Sequence, residues 1–173
     1  MDVELQALSI AVGTALVNQK LMLACAESCT GGWISELVTS TAGSSEWFER
    51  GFVTYSNRAK QEMLGVGEAS LAIHGAVSEE TAREMALGAL AHSHAQIALA
   101  VTGIAGPGGG VPPFGGSSGK PVGTVCFAWC RNQVSVVSET HHFSGDREAV
   151  RRQAVITSLR GLLSLLSGAK TVP

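Results

Sequence analysis

Leu21-Met22-Leu23-Ala24-Cys25-Ala26 runs directly into Glu27-Ser28-Cys29-Thr30-Gly31-Gly32. The first six residues are all apolar, the pattern of a strand buried on both faces, as in a parallel sheet covered by helices. The hydroxyl- and glycine-rich turn then opens a helix read over Gly32 to Val38. In α/β sheets, ligands bind beyond the carboxyl ends of the strands. A helix N-terminus there offers unpaired N–H groups and the positive end of a dipole. Gly31 and Gly32 let the backbone approach a ligand closely. Ser28 is therefore a candidate nucleophile with oxyanion donors beside it. The same residues also fit an ordinary Ser/Thr helix cap.

Upstream, residues 3–19 place Val3, Leu5, Leu8, Ile10, Ala11, Ala15 and Leu16 at the spacing of an amphipathic helix. Downstream, residues 51–56 read as a second strand, and Asn57 as the cap of a short helix through Leu64. Residues 75–77 read as a turn. Ser78 is the expected N-cap of a helix to about Ala91, with Glu79 and Glu80 in its first turn. A third strand over 96–101 ends in Thr102-Gly103. A loop rich in Gly, Pro and Ser follows, over 103–121. Strands near 122–130 and 133–141 form a hairpin around Arg131-Asn132, and Asp146 caps a final helix from Arg147 to about Leu166. Strands alternating with helices, then a hairpin, imply an α/β fold. The expectation is a single three-layer domain over residues 1–173, a mixed β-sheet with helices on its faces.

The chain has 173 residues, enough for one domain with a substantial core. Only 15% of residues are charged against 45% hydrophobic, and 21 are glycine. Such a surface suggests a homo-oligomer that buries further apolar area. The net charge of −2, with no basic run, argues against nucleic acid as a partner. No run of eighteen apolar residues suggests a membrane span. The start, Met1-Asp2-Val3-Glu4-Leu5, lacks the basic opening of a secretory signal. Four cysteines do not make a disulfide scaffold, and a cytoplasmic location is expected. Cys25 and Cys29, then Cys126 and Cys130, repeat a C-x3-C spacing. Residues four apart on a strand sit about 13 Å apart, so no metal site is expected there.

Three further segments bear on chemistry. Tyr55-Ser56-Asn57-Arg58-Ala59-Lys60 offers a base: a lysine takes a serine proton if burial or nearby positive charge lowers its pKa. Tyr55 can relay a proton or orient the hydroxyl. Taken alone, Arg58 or Lys60 is more commonly a surface side chain on a solvated helix face. Val101-Thr102-Gly103-Ile104-Ala105-Gly106-Pro107 leads a strand into a glycine loop of the kind that presents N–H groups to anions. It lacks the Walker lysine. Arg147 and Arg151, near the start of the last helix, can meet a phosphate or carboxylate, whereas Arg152 fits an i,i+4 pair with Glu148. Trp33, Trp47 and Phe52 are candidate walls for a flat ring. No histidine lies in an HExxH motif and no G-x-S-x-G elbow exists. Cys29, with a histidine as base, is the rival nucleophile.

Taken together these segments resemble the CinA C-terminal domain family, which includes nicotinamide-nucleotide amidohydrolases. The resemblance rests on Ala26–Gly32, Gly51–Asn57 with Lys60, Gly75–Ser78, Val101–Pro107, Lys120–Val125 and Gly145–Arg147. It implies deamidation of nicotinamide mononucleotide to nicotinic acid mononucleotide and ammonia, in pyridine nucleotide salvage. It implies a small-molecule nucleotide substrate, no cofactor and no metal. Carried over by motif, Ser28 is the nucleophile, Lys60 its base, Tyr55 assists, and Thr102 and Gly103 help hold the oxyanion. Thr30, Gly31, Gly32, Gly106 and Arg147 would meet the substrate, Arg147 at its phosphate. The Gly108–Gly119 loop is longer than the family pattern and has no polar residue at Gly108. A catalytically silent nucleotide-binding protein, of the kind called competence-damage inducible, is the alternative.

Overall fold

Asp2 starts the first helix, α1 (Val3–Gln19), by accepting hydrogen bonds from the Glu4 and Leu5 amides. Lys20 ends it in a left-handed conformation. The chain then enters β1 (Leu23–Glu27), buried at all five positions, and α2 (Trp33–Thr39). There follow β2 (Phe48–Val53), α3 (Asn57–Leu64), α4 (Glu68–His74), α5 (Glu79–Ala91), β3 (Ile97–Gly103), β4 (Thr124–Arg131), β5 (Ser135–His142) and α6 (Arg147–Leu166). The structure, a computed structural model, describes residues 2–107 and 119–168. Of the long glycine loop, positions 108–118 lie outside the described residues.

The five strands form one mixed sheet in the order β2-β1-β3-β4-β5. β1, β2 and β3 are parallel, and β4 and β5 are antiparallel additions. Residues alternate between faces along a strand, so the sheet carries two cores. Leu23, Cys25, Leu99, Phe127 and Trp129 face α1, α2 and α6. Ala24, Ala26, Ala100, Cys126 and Cys130 face α3, α4 and α5. This is the expected three-layer arrangement. After β1 the chain moves to β2 on one side, then crosses to β3 on the other. The gap between the ends of β1 and β3 is thus a topological switch point, where open α/β sheets bind ligands.

Most expected elements are present, and Ser78 and Asp146 cap α5 and α6 through their side chains. The hairpin turn places Asn132 and Gln133 at φ 52° and 57°, matching the twist of the flanking strands. Four details differ. β2 begins at Phe48 and ends at Val53; it is an edge strand without clean alternation, so its limits are poorly marked. Ser56, not Asn57, caps α3: its Oγ accepts from the Ala59 amide at 3.0 Å, with Ser56 in extended geometry. α4 was not expected; it is a seven-residue helix bracketed by Gly67 and Gly75. Arg152 does not pair with Glu148 but reaches Asp2 and Glu4 across α1.

Candidate active site

Ser28 follows β1 at this switch point, its amide still bonded to the Val101 carbonyl of β3 at 3.0 Å. Alternation sends the Glu27 side chain to the α2 side of the sheet and Ser28 to the α3 side. There Lys60, from the first turn of α3, meets it: Nζ lies 3.0 Å from Ser28 Oγ and 2.8 Å from the Thr54 carbonyl. α3 is fixed for this by the Ser56 cap, and the turn before it by the Thr54 amide, which donates to the Glu27 carbonyl at 2.8 Å. Lys60 is 1% exposed and Ser28 7%. Burial pulls the Lys60 ammonium down to about 8, and the neighbouring Cys29 opposes this only partly. Near neutral pH a fraction of Lys60 is therefore a free amine facing a hydroxyl.

The Ser28 turn is anchored from two sides. The fully buried Glu27 carboxylate accepts from Thr30 Oγ1 (2.6 Å), the Gly32, Ile34 and Ser35 amides (3.1, 3.0 and 2.8 Å) and Ser35 Oγ (2.8 Å). The α2 N-terminus thus already holds an anion, supplied by the chain itself. Gly31 and Gly32 make the bend at φ +63° and +99°, a region side chains rarely adopt. From the other side, Arg151 of α6 donates to the carbonyls of Cys29 (3.2 Å) and Thr30 (3.0 Å), and its guanidinium lies 5.4 Å from the centroid of the Trp33 ring.

The remaining expected residues fall at the rim or beneath. Thr102 is buried and donates its hydroxyl to the Ala76 carbonyl at 2.8 Å. Gly103 pairs with Val125 in register. Ladder bonds alternate along an antiparallel pair, and the Ile104 amide bonds Thr124, so the Gly103 N–H points instead toward the end of β1. Tyr55 is exposed; its phenol oxygen accepts from Arg147 at 2.9 Å, and no hydrogen bond joins it to Ser28 or Lys60 among the described residues. Arg147 also donates to the Gly106 carbonyl at 2.6 Å, linking the turns after β2 and β3. Trp47 and Phe52 belong to the two cores, whereas Trp33 sits beneath Arg151. Burial pushes the Cys29 thiol up to about 12, which leaves it a poor source of thiolate. Among the described residues, no three His, Cys, Asp or Glu side chains gather as a metal set, and no helix is long and apolar enough to cross a membrane.

Sequence reasoning did not single out Glu27 or Arg151 as anchors of the turn. Glu27 carried one signal, a carboxylate closing an otherwise apolar buried strand. Arg151 carried none, because its contacts lie more than a hundred residues away in sequence.

A mixed α/β sheet with a buried serine–lysine pair at its switch point defines the class of this protein. The CinA C-terminal domain model matches residues 5–166. The chain is 52% identical over 161 residues to nicotinamide-nucleotide amidohydrolase PncC of Escherichia coli K12, covering 93% of this chain and 94% of that one. It is 50% identical over 158 residues to the Pseudomonas putida protein of the same name, covering 91% and 94%. The solved structure of competence/damage inducible protein CihA from Agrobacterium tumefaciens superposes with a TM-score of 0.89 at 43% identity, over 95% of this chain and 97% of that one. The chain belongs to the CinA C-terminal domain family.

Proposed function

We propose that this chain is a nicotinamide-nucleotide amidohydrolase that converts nicotinamide mononucleotide and water to nicotinic acid mononucleotide and ammonia. The observation that carries the reading is the 3.0 Å contact between Ser28 Oγ and a buried, pKa-depressed Lys60. The neutral amine takes the serine proton as Oγ attacks the carboxamide carbon. The tetrahedral oxyanion forms against backbone N–H groups, Gly103 among them. Its collapse breaks the C–N bond, and the Lys60 ammonium returns the proton to the leaving ammonia. Lys60, neutral again, then deprotonates a water that attacks the acyl ester; this releases the carboxylic acid and restores Ser28.

Thr102 supports the floor through Ala76. Thr30, Gly31, Gly32 and Gly106 are assigned to substrate contact from the turns after β1 and β3, and Tyr55 assists from the rim. Among the described residues the partners of Arg147 are neutral, Gly106 O and Tyr55 OH, and it is the group offered to the phosphate. The 50–52% identity to the two relatives named as amidohydrolases, over nearly the whole chain, supports the substrate. The same reading places the protein in pyridine nucleotide salvage in the cytoplasm. It also takes the protein to be a homo-oligomer, in keeping with the exposed Val3, Ile10 and Val17 of α1.

The test is ammonia release from nicotinamide mononucleotide in the presence of a chelator. Wild-type protein releases ammonia; Ser28→Ala and Lys60→Ala, folded by circular dichroism, lose at least about a thousandfold. Nucleotide binding without turnover by the wild type would assign the chain to the silent nucleotide-binding alternative.

A further inference from the structure

We infer that the Thr30 backbone amide is an oxyanion donor and that Arg151 and Glu27 are the positioning residues that aim it. The inference rests on Ser28 being the nucleophile. It follows from an accounting of the turn's backbone N–H groups, which a folded chain does not leave unpaired without reason. From Ser28 to Ser35, six of eight amides have acceptors. Ser28 bonds Val101 O, Gly31 bonds Ser28 O, Trp33 bonds Thr30 O, and Gly32, Ile34 and Ser35 bond the Glu27 carboxylate. Cys29 and Thr30 have no backbone or side-chain acceptor among the described residues. Of these two donors Thr30, two residues from the nucleophile, is the one whose peptide carbonyl is held by a side chain.

Arg151 sets its direction. The only cis peptide among the described residues is Gly106-Pro107, so the Cys29–Thr30 peptide is trans and planar. Its N–H therefore points opposite to its C=O. Arg151 Nε holds that C=O on the α6 side, which turns the Thr30 N–H away from α6. The same guanidinium, by drawing on the carbonyl, polarises the peptide and strengthens the N–H as a donor. Glu27 pins the following amides and the Thr30 hydroxyl behind the turn, so that none of them competes for the oxyanion. Thr102 cannot take this part with its hydroxyl, whose single proton goes to Ala76. The Gly103 N–H, directed at the end of β1, is the second donor.

A donor made only in the transition state affects kcat rather than KM. The experiment compares Arg151→Met and Arg151→Lys with Arg147→Met, each confirmed folded by thermal melting, on nicotinamide mononucleotide and on its unphosphorylated nucleoside. Arg151→Met is expected to lower kcat on both substrates by the same factor, about tenfold to a hundredfold, with KM unchanged. Arg151→Lys, which can reach one carbonyl, recovers part of it. Arg147→Met instead raises KM for the nucleotide alone. Should Arg151→Met raise KM for the nucleotide with kcat intact, Arg151 is a phosphate ligand and the inference falls. It falls equally if both parameters are unchanged. Glu27→Gln, which keeps shape but cannot accept all five donors, gives a second reading: kcat falls on both substrates if Glu27 aims the turn, and an intact kcat in folded protein overturns its role. A wild-type chain that releases no ammonia, or an active Ser28→Ala variant, removes the nucleophile and the inference together. An Arg151 failure alone leaves the amidohydrolase reading standing.

Discussion

Lys60 is a charge-bearing side chain held in a dry place, and its activity and its cost to the fold come from the same cause. Its pKa falls from 10.5 to about 8 through burial. Between pH 8 and 10.5 the unfolded chain retains a proton that the folded chain has released, so stability rises with pH across that window. Below pH 8 the full penalty applies, about 3 kcal/mol for such a shift. Lys60→Met should therefore stabilise the protein at pH 6.5 by about 1–2 kcal/mol, after allowing for the Thr54 carbonyl that loses its donor. The gain should shrink as pH approaches 10, and denaturant melts at the two pH values check it. In the wild type, kcat/KM should rise about tenfold per pH unit below 8 and level off above it. A profile governed by a group near 6.5 would point to a histidine base instead. Of this pair, Ser28 and Lys60 were legible in the sequence because each sits at the start of a helix after a strand. Their 3.0 Å contact was not, since it depends on how α3 lies against β1.

Helices α5 and α6 were readable because Ser78 and Asp146 are strong caps with local hydrogen bonds. α4 was not, because a seven-residue segment between glycines has no long periodic face to detect. β2 slid by three residues for a similar reason, being an edge strand with mixed burial. Packing between elements leaves weaker traces still. Gly161, in the middle of α6, is a poor helix residue by about 1 kcal/mol relative to Ala. The structure supplies its reason: a Cβ there would lie 2.0 Å from Trp129 Cζ2 and 2.2 Å from Cε2. That ring is fully buried and tied by its Nε1–H to the Ser158 carbonyl at 2.8 Å, so it cannot swing aside. Overpacking of this kind costs about 1–3 kcal/mol and outweighs the helix gain. Gly161→Ala should lower stability in chemical unfolding; a more stable variant would show that α6 can move off the sheet.

Across the whole molecule, the fold solves a problem that its composition poses. The proposed substrate is an anion, yet the chain carries a net charge of −2. No global field draws such a ligand in, so attraction must come from charge placed locally at the switch point. The α2 N-terminus, the obvious anion site from sequence, is already occupied by Glu27. Arg147 is the rim cation that remains: its guanidinium bridges the Gly106 carbonyl and the Tyr55 hydroxyl, and no carboxylate pairs with it among the described residues. A single local charge acts over about 10 Å at 0.1 M salt and over much less at higher ionic strength. For the phosphorylated substrate, kcat/KM should fall by about threefold or more as salt is raised from about 20 mM to about 500 mM. Arg147→Met should flatten the nucleotide's profile. A wild-type rate on the nucleotide that rises with salt would mean that the net negative charge governs approach, and that the phosphate is held by something other than Arg147.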